Sequence, residues 1–420
     1  MREIFRAIAF AAVIVVATRF PCARSGPIET DEFGYLDMIR ASPLPMHHTL
    51  FLASARLVGV LVGDPYLGFV ALDMAVSALA LVACWWWLRA LVRPAEAAAG
   101  AALMALAPSF WSYGCLAGNY TMIPLVGCAL LGLAARPPMR WHPYAAAGIL
   151  ALGTGYRQDI GTFWLPVFGV LLLRHRKVDA AGALAAFAVG NLAWLVPMLA
   201  AAGGWARYRA ASSEFARQAG YLNSIWNLGP IDATLRYAVK AGMATLWTFG
   251  PALLFVPRGA ARLLRSGRGH LAAMLALSVL PPLGFHGLIH FGVAGYAMHY
   301  VPALIALIAL GVGREPRASA AADPGASLRL PRTSEAAVPR LIGLACLMAA
   351  LFLFYPTDYN RPGLRGDLDL AFARHTRIGL QSPLPERDNA AWRTANSTRR
   401  FGLPPGAPAQ SSSSKPRSRM

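Results

Sequence analysis

Long apolar stretches separated by short polar connections run along most of this 420-residue chain. A helix that crosses a bilayer needs about 20 mainly apolar residues, and stretches of that kind recur from the amino terminus onward. We predict about eleven membrane spans, within a range of roughly ten to twelve, because span ends are imprecise. Their approximate bounds are 4–19, 67–88, 96–111, 119–135, 143–155, 160–173, 180–201, 237–257, 270–291, 295–312 and 340–355. The predicted fold class is therefore all-α, a polytopic transmembrane helical protein.

The composition agrees with this pattern. Only 14% of the residues are charged, 56% are hydrophobic and the mean hydropathy is +0.45, whereas about a quarter of a soluble domain is charged. The net charge of +19 comes almost entirely from arginine. Because these arginines are scattered among short loops, they are typical of cytoplasmic loops that face anionic headgroups, and a nucleic-acid partner is not expected. The five cysteines show no C-x-x-C spacing and predict no metal framework.

Loop charges decide the orientation of the segment 48–63, which is apolar but carries Arg56. If it lies along the membrane surface as a juxtamembrane helix in the first outer loop, four basic loops fall on one side. They hold eleven basic residues: Arg89, Arg93, Arg136, Arg140, Arg174, Arg176, Lys177, Arg258, Arg262, Arg265 and Arg268. The short loops opposite hold only Arg157. The positive-inside rule then places the amino terminus in the cytoplasm and the first loop outside.

The chain divides into four predicted parts. They are a transmembrane module at 1–312 with outer loops at 20–66 and 202–236, a flexible cytoplasmic linker at 313–339, a last span at 340–355 and a polar, partly disordered tail at 356–420.

The first outer loop holds the strongest candidate for chemistry, the adjacent carboxylates Asp31 and Glu32. Carboxylates beside a membrane are costly to keep there and usually have a function. Such a group acts as a general base for an incoming hydroxyl or amine, or it holds a divalent cation against a phosphate. The sequence does not choose between these roles, and a solvated acidic loop is the alternative.

Two further polar groups stand out on the same predicted side. His47 and His48 precede an apolar helix, where they bind a phosphate, move a proton or ligate a metal, or serve only as polar residues at a helix start. Arg157 breaks the charge pattern of the loops. Its guanidinium suits a lipid-linked phosphate, although a local ion pair with Asp159 is the alternative.

Two residue sets lie inside predicted spans. Asp73 is an intramembrane carboxylate and so a functional candidate, unless it reaches interfacial water. The run Trp85-Trp86-Trp87, near the cytoplasmic end of the same span, predicts an aromatic belt at the membrane interface.

An outer loop with Asp31-Glu32, followed by Pro45-Met46-His47-His48-Thr49 before an apolar helix, resembles the GT-C glycosyltransferases. The likeness is to bacterial polyprenyl-phosphate-sugar-dependent enzymes of the protein O-mannosyltransferase and aminoarabinose transferase kind. Gly-Tyr-Arg-Gln-Asp-Ile at 155–160 is similar to the family's basic turn, and His299-Tyr300-Val301-Pro302 to its Arg-Tyr-x-x-Pro segment. Three features depart from the family: His299 stands where arginine is usual, Asn119 stands where an acidic residue is often found, and no large soluble carboxy-terminal domain is recognisable.

The resemblance implies a membrane glycosyltransferase in a bacterial inner membrane, with its active site facing the periplasm. The donor would be a polyprenyl-phosphate-linked sugar and the acceptor a glycan, a lipid or a protein. The resemblance makes Asp31 catalytic with Glu32 beside it, and it places Arg157, His299 and Tyr300 at the donor phosphate. His47 and His48 are further donor-binding candidates. No cofactor is certain, and a divalent metal is the one candidate.

Two other function classes compete with an enzyme. A transporter or flippase for a lipid-linked solute would need charges through the membrane midplane, whereas this chain keeps most of its charges near the predicted faces. The other class is a non-catalytic subunit of a membrane assembly.

Overall fold

A computed structural model describes residues 2–23, 27, 30–41, 44, 46–217, 224–291, 294–312 and 337–354. Within these ranges the secondary structure is helical and contains no strand. The α-helices are α1 (Arg2–Arg19), α2 (Thr30–Ala41), α3 (Thr49–Val62), α4 (Pro65–Leu88), α5 (Pro94–Leu106), α6 (Pro108–Tyr113), α7 (Met122–Ala134), α8 (His142–Tyr156), α9 (Gln158–Leu172), α10 (Lys177–Ala201), α11 (Trp205–Phe215), α12 (Ile225–Leu228), α13 (Pro230–Phe249), α14 (Val256–Arg265), α15 (Gly269–Leu288), α16 (Val301–Val312) and α17 (Ala337–Phe354). Short 3-10 helices occupy Phe20–Cys22, Gly250–Phe255 and Ala294–His299.

The predicted fold class, a polytopic helical membrane protein, is confirmed. Among the described residues, five helical segments are long and apolar enough to cross a membrane: Glu3–Cys22, Pro65–Leu88, Lys177–Ala201, Thr234–Arg265 and Gly269–Leu288. Shorter apolar helices account for the other predicted spans, so the number eleven stays a prediction. The last predicted span, 340–355, corresponds to α17. Most of the predicted linker at 313–339 and the whole tail at 356–420 lie outside the described residues.

Helix starts follow local sequence signals. α4 begins at Pro65, and the carboxylate of Asp64 accepts a hydrogen bond from the Leu67 backbone N–H at 2.8 Å. α5 begins at Pro94, and Glu96 reaches back to the Arg93 backbone N–H at 3.1 Å. Proline fits the first helical turn because its missing N–H would have no partner there, and the side-chain acceptors satisfy free N–H groups of that turn.

The ambiguous segment 48–63 forms α3, which folds back along the first part of α4. Gly63 makes the turn with a φ of +81°, a conformation that glycine adopts without strain. The two helices approach so closely that a Cβ on Gly68 would lie 2.5 Å from the Gly59 Cα atom. α3 therefore packs as a hairpin with α4, and its placement along the membrane surface stays a prediction.

The basic loops meet at one end of the helix bundle. Arg89, after α4, forms an ion pair with Glu3 of α1 at 2.9 Å. Arg268 donates to the Ala90 carbonyl at 3.2 Å, and Arg136 donates to the Trp86 carbonyl at 2.6 Å. The last turn of α1 lies at the other end, beside α6 and the polypeptide that follows it. Arginines from separate loops therefore lie together at one end of the bundle, as expected if these loops share one side of the membrane.

The main hydrophobic core lies between the central helices and includes part of the tryptophan run. Trp87 is fully buried, and its indole N–H donates to the Pro302 carbonyl at 3.2 Å. The prediction of an interfacial belt is therefore wrong for Trp87. The Arg136 guanidinium lies 3.6 Å from the centre of the Trp86 ring, so Trp86 contacts the basic end of the bundle.

Candidate functional site

The candidate site is built around Arg157, the single residue between α8 and α9. Its side chain is buried, with 5% exposed. The Nε atom donates to the Asp159 carboxylate at 2.9 Å, and Nη1 donates to the Asn119 side-chain oxygen at 2.7 Å. The guanidinium stands over the Tyr120 ring at 4.0 Å and the Tyr296 ring at 5.3 Å. Hydrogen bonds thus fix two edges of the guanidinium, and two tyrosine rings lie against it.

These surroundings keep Arg157 charged. Burial alone would lower the pKa of the guanidinium, but the Asp159 carboxylate and the neighbouring phenols outweigh that effect and hold the pKa above its ordinary value. The Tyr296 hydroxyl also lies within hydrogen-bonding reach of this guanidinium. A permanent cation that exchanges a phenol contact for a phosphate oxygen is suited to bind a lipid-linked phosphate. The ion pair with Asp159, which the sequence offered as the alternative, is present in the structure.

Asn119 and Tyr120 reach Arg157 from the 115–121 loop, the residues Cys115 to Thr121 between α6 and α7. Asn119 is buried and has a φ of +44°, a left-handed conformation that asparagine tolerates better than most residues. The Tyr120 ring also packs against Tyr296, with ring centres 5.8 Å apart. Gly295 permits this contact, because a Cβ there would lie 2.5 Å from the Tyr120 ring.

The two predicted catalytic carboxylates take different environments. Glu32 is 1% exposed, and its Oε1 atom accepts hydrogen bonds from the Tyr66 hydroxyl at 3.0 Å and the Ala117 backbone N–H at 2.9 Å. Asp31 is exposed in the first turn of α2. Burial raises the pKa of the Tyr35 phenol, and the Asp31 carboxylate raises it further. The Asp31 charge also raises the pKa of the phenols of both tyrosines that pack on Arg157, so Asp31 is close enough to this aromatic cluster for its charge to be felt there.

The predicted histidines occupy the rim of this cluster. His48 is buried, has a φ of +51° and packs edge-on to Tyr35 at 5.7 Å. Burial, reinforced by the Arg157 charge, lowers the pKa of His47 to about 4. Burial together with His47 and Arg157 also holds the pKa of His48 well below its ordinary value. Both imidazoles are therefore neutral at neutral pH, and they meet a phosphate as hydrogen-bonding groups without charge.

The turn at 294–300 splits the remaining candidates. His299 is buried, and its Nε2 atom lies 3.6 Å from the Asp159 carboxylate, which links it to Arg157 through a shared acid. Tyr300 is directed elsewhere: its hydroxyl lies 2.6 Å from His286 Nδ1, in a separate hydrophobic cluster with Tyr237. The structure thus brings His299 to the site and places Tyr300 behind it.

Sequence reasoning passed over several residues of the site. Tyr120 and Tyr296 carry no motif, and tyrosine is common at membrane interfaces. Asp159 was considered only as a local partner, whereas it joins Arg157 to His299. Asn119 was noted only as a departure from a family pattern. The signal available was the position of these residues, at helix ends on one predicted side of the membrane.

The described residues do not assemble a cation site. No group of three or more histidine, cysteine, aspartate or glutamate side chains in this part of the chain is arranged to hold a metal ion. Glu32 and Asp73 direct oxygens at N–H and O–H donors. The divalent metal considered from the sequence therefore does not fit the residues present, and no chemical step is assigned to it below.

The fold is similar to that of the oligosaccharyltransferase of Archaeoglobus fulgidus in its apo form. The two chains are 12% identical, the match covers 93% of this chain and 59% of that chain, and the TM-score is 0.51. Two other structures of that enzyme, one tethered to an acceptor peptide containing the NVT sequon and one in complex with zinc and sulfate, give TM-scores of 0.46 and 0.47. At this identity the likeness shows the fold alone. No protein-family model matches the chain, and comparison with curated proteins gives no match.

The shared fold agrees with the helical membrane architecture that the resemblance implied. The chain spans less than two thirds of the archaeal enzyme's length, and the activity of that enzyme is not carried over by the alignment.

Proposed function

We propose that this protein is a membrane glycosyltransferase that moves a sugar from a polyprenyl-phosphate-linked donor to an acceptor at the outer face of a bacterial inner membrane. One observation carries the proposal: a buried, permanently charged arginine held against two tyrosine rings, close enough to the exposed Asp31 for that carboxylate's charge to act on the same phenols. The fold it shares with an oligosaccharyltransferase supports the reaction class. The acceptor is a glycan, a lipid or a protein that offers a hydroxyl or an amine.

Arg157 binds the donor phosphate in this mechanism. Asp159 and Asn119 fix its Nε and Nη1 edges, so the guanidinium is already oriented before the phosphate binds. A preoriented guanidinium gains more from this contact than a mobile one, because no side-chain freedom is lost on binding. The same charge stabilises the phosphate as it leaves, when its negative charge is largest.

Asp31 is the general base. It takes the proton from the acceptor hydroxyl or amine while the acceptor atom forms a bond to the anomeric carbon. The bond between that carbon and the phosphate oxygen breaks, and its electron pair stays on the departing lipid phosphate. Attack from the face opposite the phosphate inverts the anomeric centre. The reaction needs no nucleotide triphosphate, which agrees with the absence of a G-x-x-x-x-G-K-[ST] motif from the sequence.

The neighbouring groups have supporting roles. The Asp159 oxygen that accepts from Arg157 Nε also lies 3.6 Å from His299 Nε2, so His299 helps to fix the carboxylate that holds the guanidinium. His47 and His48, neutral at working pH, offer hydrogen bonds to the donor. Tyr296, which is only partly buried, presents a flat apolar face that suits a sugar ring.

The test is sugar transfer by the purified protein in lipid vesicles that contain polyprenyl-phosphate sugars. Asp31→Asn should lower kcat by about 10²- to 10⁴-fold, the range for loss of a general base. Arg157→Lys should mainly raise the donor KM, because lysine keeps the charge but cannot bridge Asp159, Asn119 and phosphate together. Asp37→Asn and Arg56→Gln are matched controls, since both residues are exposed and lie apart from the cluster.

Two results would overturn the proposal. Undiminished transfer by the Asp31→Asn variant would remove the catalytic assignment. No transfer from any polyprenyl-phosphate sugar by the wild-type protein would reject the enzyme, and donor movement across the vesicle membrane without transfer would then favour the flippase.

A further inference from the structure

Glu32 and Asp73 come from different helices and bind the same short loop. Glu32, on α2, accepts the backbone N–H of Ala117 at 2.9 Å. Asp73, on α4, accepts the backbone N–H of Gly118 at 2.8 Å and that of Asn119 at 3.3 Å with one oxygen. Its other oxygen accepts the Thr121 hydroxyl at 2.9 Å. Three successive backbone N–H groups of the 115–121 loop therefore end on two carboxylates.

The loop depends on this support. Residues 114–121 form no helix, so these N–H groups have no helical carbonyl as acceptor, and a buried N–H without an acceptor is strongly unfavourable. Asn119 is held at a φ of +44°, which persists only when the surroundings fix it. Both carboxyl groups are 1% exposed, so their oxygens are satisfied by the donors of the loop rather than by water.

The same loop carries two of the groups that hold Arg157. The Asn119 side chain accepts Nη1 at 2.7 Å, and the Tyr120 ring lies 4.0 Å beneath the guanidinium. A shift of the loop would move both groups together. The hydrogen-bond chain from Asp73 through the Asn119 backbone to Arg157 is short and continuous.

The adjacency of Asp31 and Glu32 gives them separate tasks. Consecutive residues on a helix point about 100° apart, so one carboxylate of the pair faces the loop while the other faces solvent. Glu32 is enclosed with Tyr66 and Ala117, and a carboxylate so enclosed is not placed to receive an acceptor's proton. Asp31 alone is exposed.

We infer that Glu32 and Asp73 are positioning residues: two carboxylates from α2 and α4 clamp the 115–121 loop and thereby set Asn119 and Tyr120 against Arg157. The inference deepens the proposed function and rests on it for its effect on the donor. The clamp itself is a feature of the fold and is measurable without any reaction.

The first measurement is hydrogen–deuterium exchange of the backbone amides of the 115–121 loop in lipid nanodiscs. Asp73→Asn and Glu32→Gln should each speed exchange of the amide they hold by about tenfold or more, since one charge-assisted acceptor is lost. Asp37→Asn, on α2, and Asp64→Asn, at the residue that precedes α4, are controls, and their amides in this loop should exchange as those of the wild type do. Thr121→Val, which removes one donor and keeps the carboxylate, replaces Asp73→Asn if that variant does not fold. Exchange at the wild-type rate in both clamp variants would overturn the clamp.

The second measurement is donor KM and kcat for Asp73→Asn, Asn119→Ala and the double variant. A residue acting through Asn119 should raise donor KM by about tenfold with a smaller change in kcat. The donor KM of the double variant should then be no higher than that of the more impaired single variant. Additive effects, or faster exchange with an unchanged donor KM, would show a structural role only and overturn the positioning assignment.

Failure of the proposed function is separable from failure of this inference. If the wild type transfers no sugar, the proposed function falls, and the clamp is judged by the exchange rates and by binding of polyprenyl phosphate to the same variants. If a variant exchanges the amides of the 115–121 loop faster but binds polyprenyl phosphate with the affinity of the wild type, the positioning role is rejected.

Discussion

Replacing Arg157 by glutamine removes the cation from a carboxylate that the fold has largely buried. Asp159 lies 2.9 Å from the guanidinium and has 22% of its side chain exposed. The perturbation is informative when made in three forms: Arg157→Gln, Asp159→Asn and both together. The double variant leaves two neutral amide groups that can hydrogen-bond to each other, whereas each single variant leaves one unpaired group.

The expected magnitudes follow from that geometry. Removal of one partner from a fully buried ion pair costs about 3–5 kcal/mol. Water still reaches about a fifth of the Asp159 side chain, so we expect a smaller loss than for a fully buried pair, about 2–4 kcal/mol, for Arg157→Gln. The stacking of Arg157 on Tyr120 contributes about 0.5–2 kcal/mol of this loss. The double variant should recover about 1–2 kcal/mol of the loss, because the unpaired charge is gone.

The assay is unfolding of the purified protein in one detergent, by heat and by denaturant, followed by tryptophan fluorescence. Arg56→Gln serves as the control, since Arg56 is an exposed arginine of α3. The reasoning is refuted if Arg157→Gln is no less stable than the double variant. In that case Asp159 is not held by its partner, and the loss at Arg157 comes from packing alone.

Three further predictions concern other parts of the molecule. Because the pKa values of His47 and His48 are lower in the folded protein, the unfolded chain binds more protons. Stability is therefore fully present above about pH 6.5 and falls as the pH drops toward about 4. With asparagine at both positions, the unfolding temperature should vary less with pH in that window. Gly259→Ala should destabilise the protein by about 1–3 kcal/mol in the same unfolding assay, because the added Cβ would overlap a carbonyl oxygen of α16. Gly148→Ala is the control: the space around Gly148 is open, so this variant should be neutral or slightly stabilising. A phosphatase reporter, which is active only outside the cytoplasm, should be inactive when it is fused after Arg268, because this loop is predicted to be cytoplasmic. Phosphatase activity of that fusion would reverse the predicted orientation.

The hydrophobic pattern predicted the helices well because burial in lipid and burial in protein both require apolar side chains. Span ends were less predictable: α4 and α5 begin at Pro65 and Pro94, each two residues before the predicted start. The same ambiguity explains Trp87. An aromatic residue near a helix end is typical of the interface, yet packing of α16 against α4 buries this one, and a single sequence does not reveal which neighbour will cover it.

The candidate site was predictable in its charged members but not in its arrangement. Arg157 could be singled out because it breaks a charge pattern that extends over the whole chain. Its partner Asn119 lies 38 positions away, and Ala117, the partner of Glu32, lies 85 positions away. Contacts of that separation depend on the packing of α4 with α7 and of α7 with α8, which local spacing does not encode.

Asp31 and Glu32 illustrate the limit most clearly. As adjacent carboxylates they look interchangeable, and from the sequence either could be taken as the catalytic carboxylate. The helix that contains them directs one toward the 115–121 loop and the other toward solvent, so their chemistry diverges by geometry alone. An aspartate at position 32 would be too short to keep both hydrogen bonds of Glu32, while a glutamate at position 31 would still present a carboxylate to solvent. The pair is therefore ordered: the position of each residue, rather than the presence of two acids, determines which one can meet a substrate.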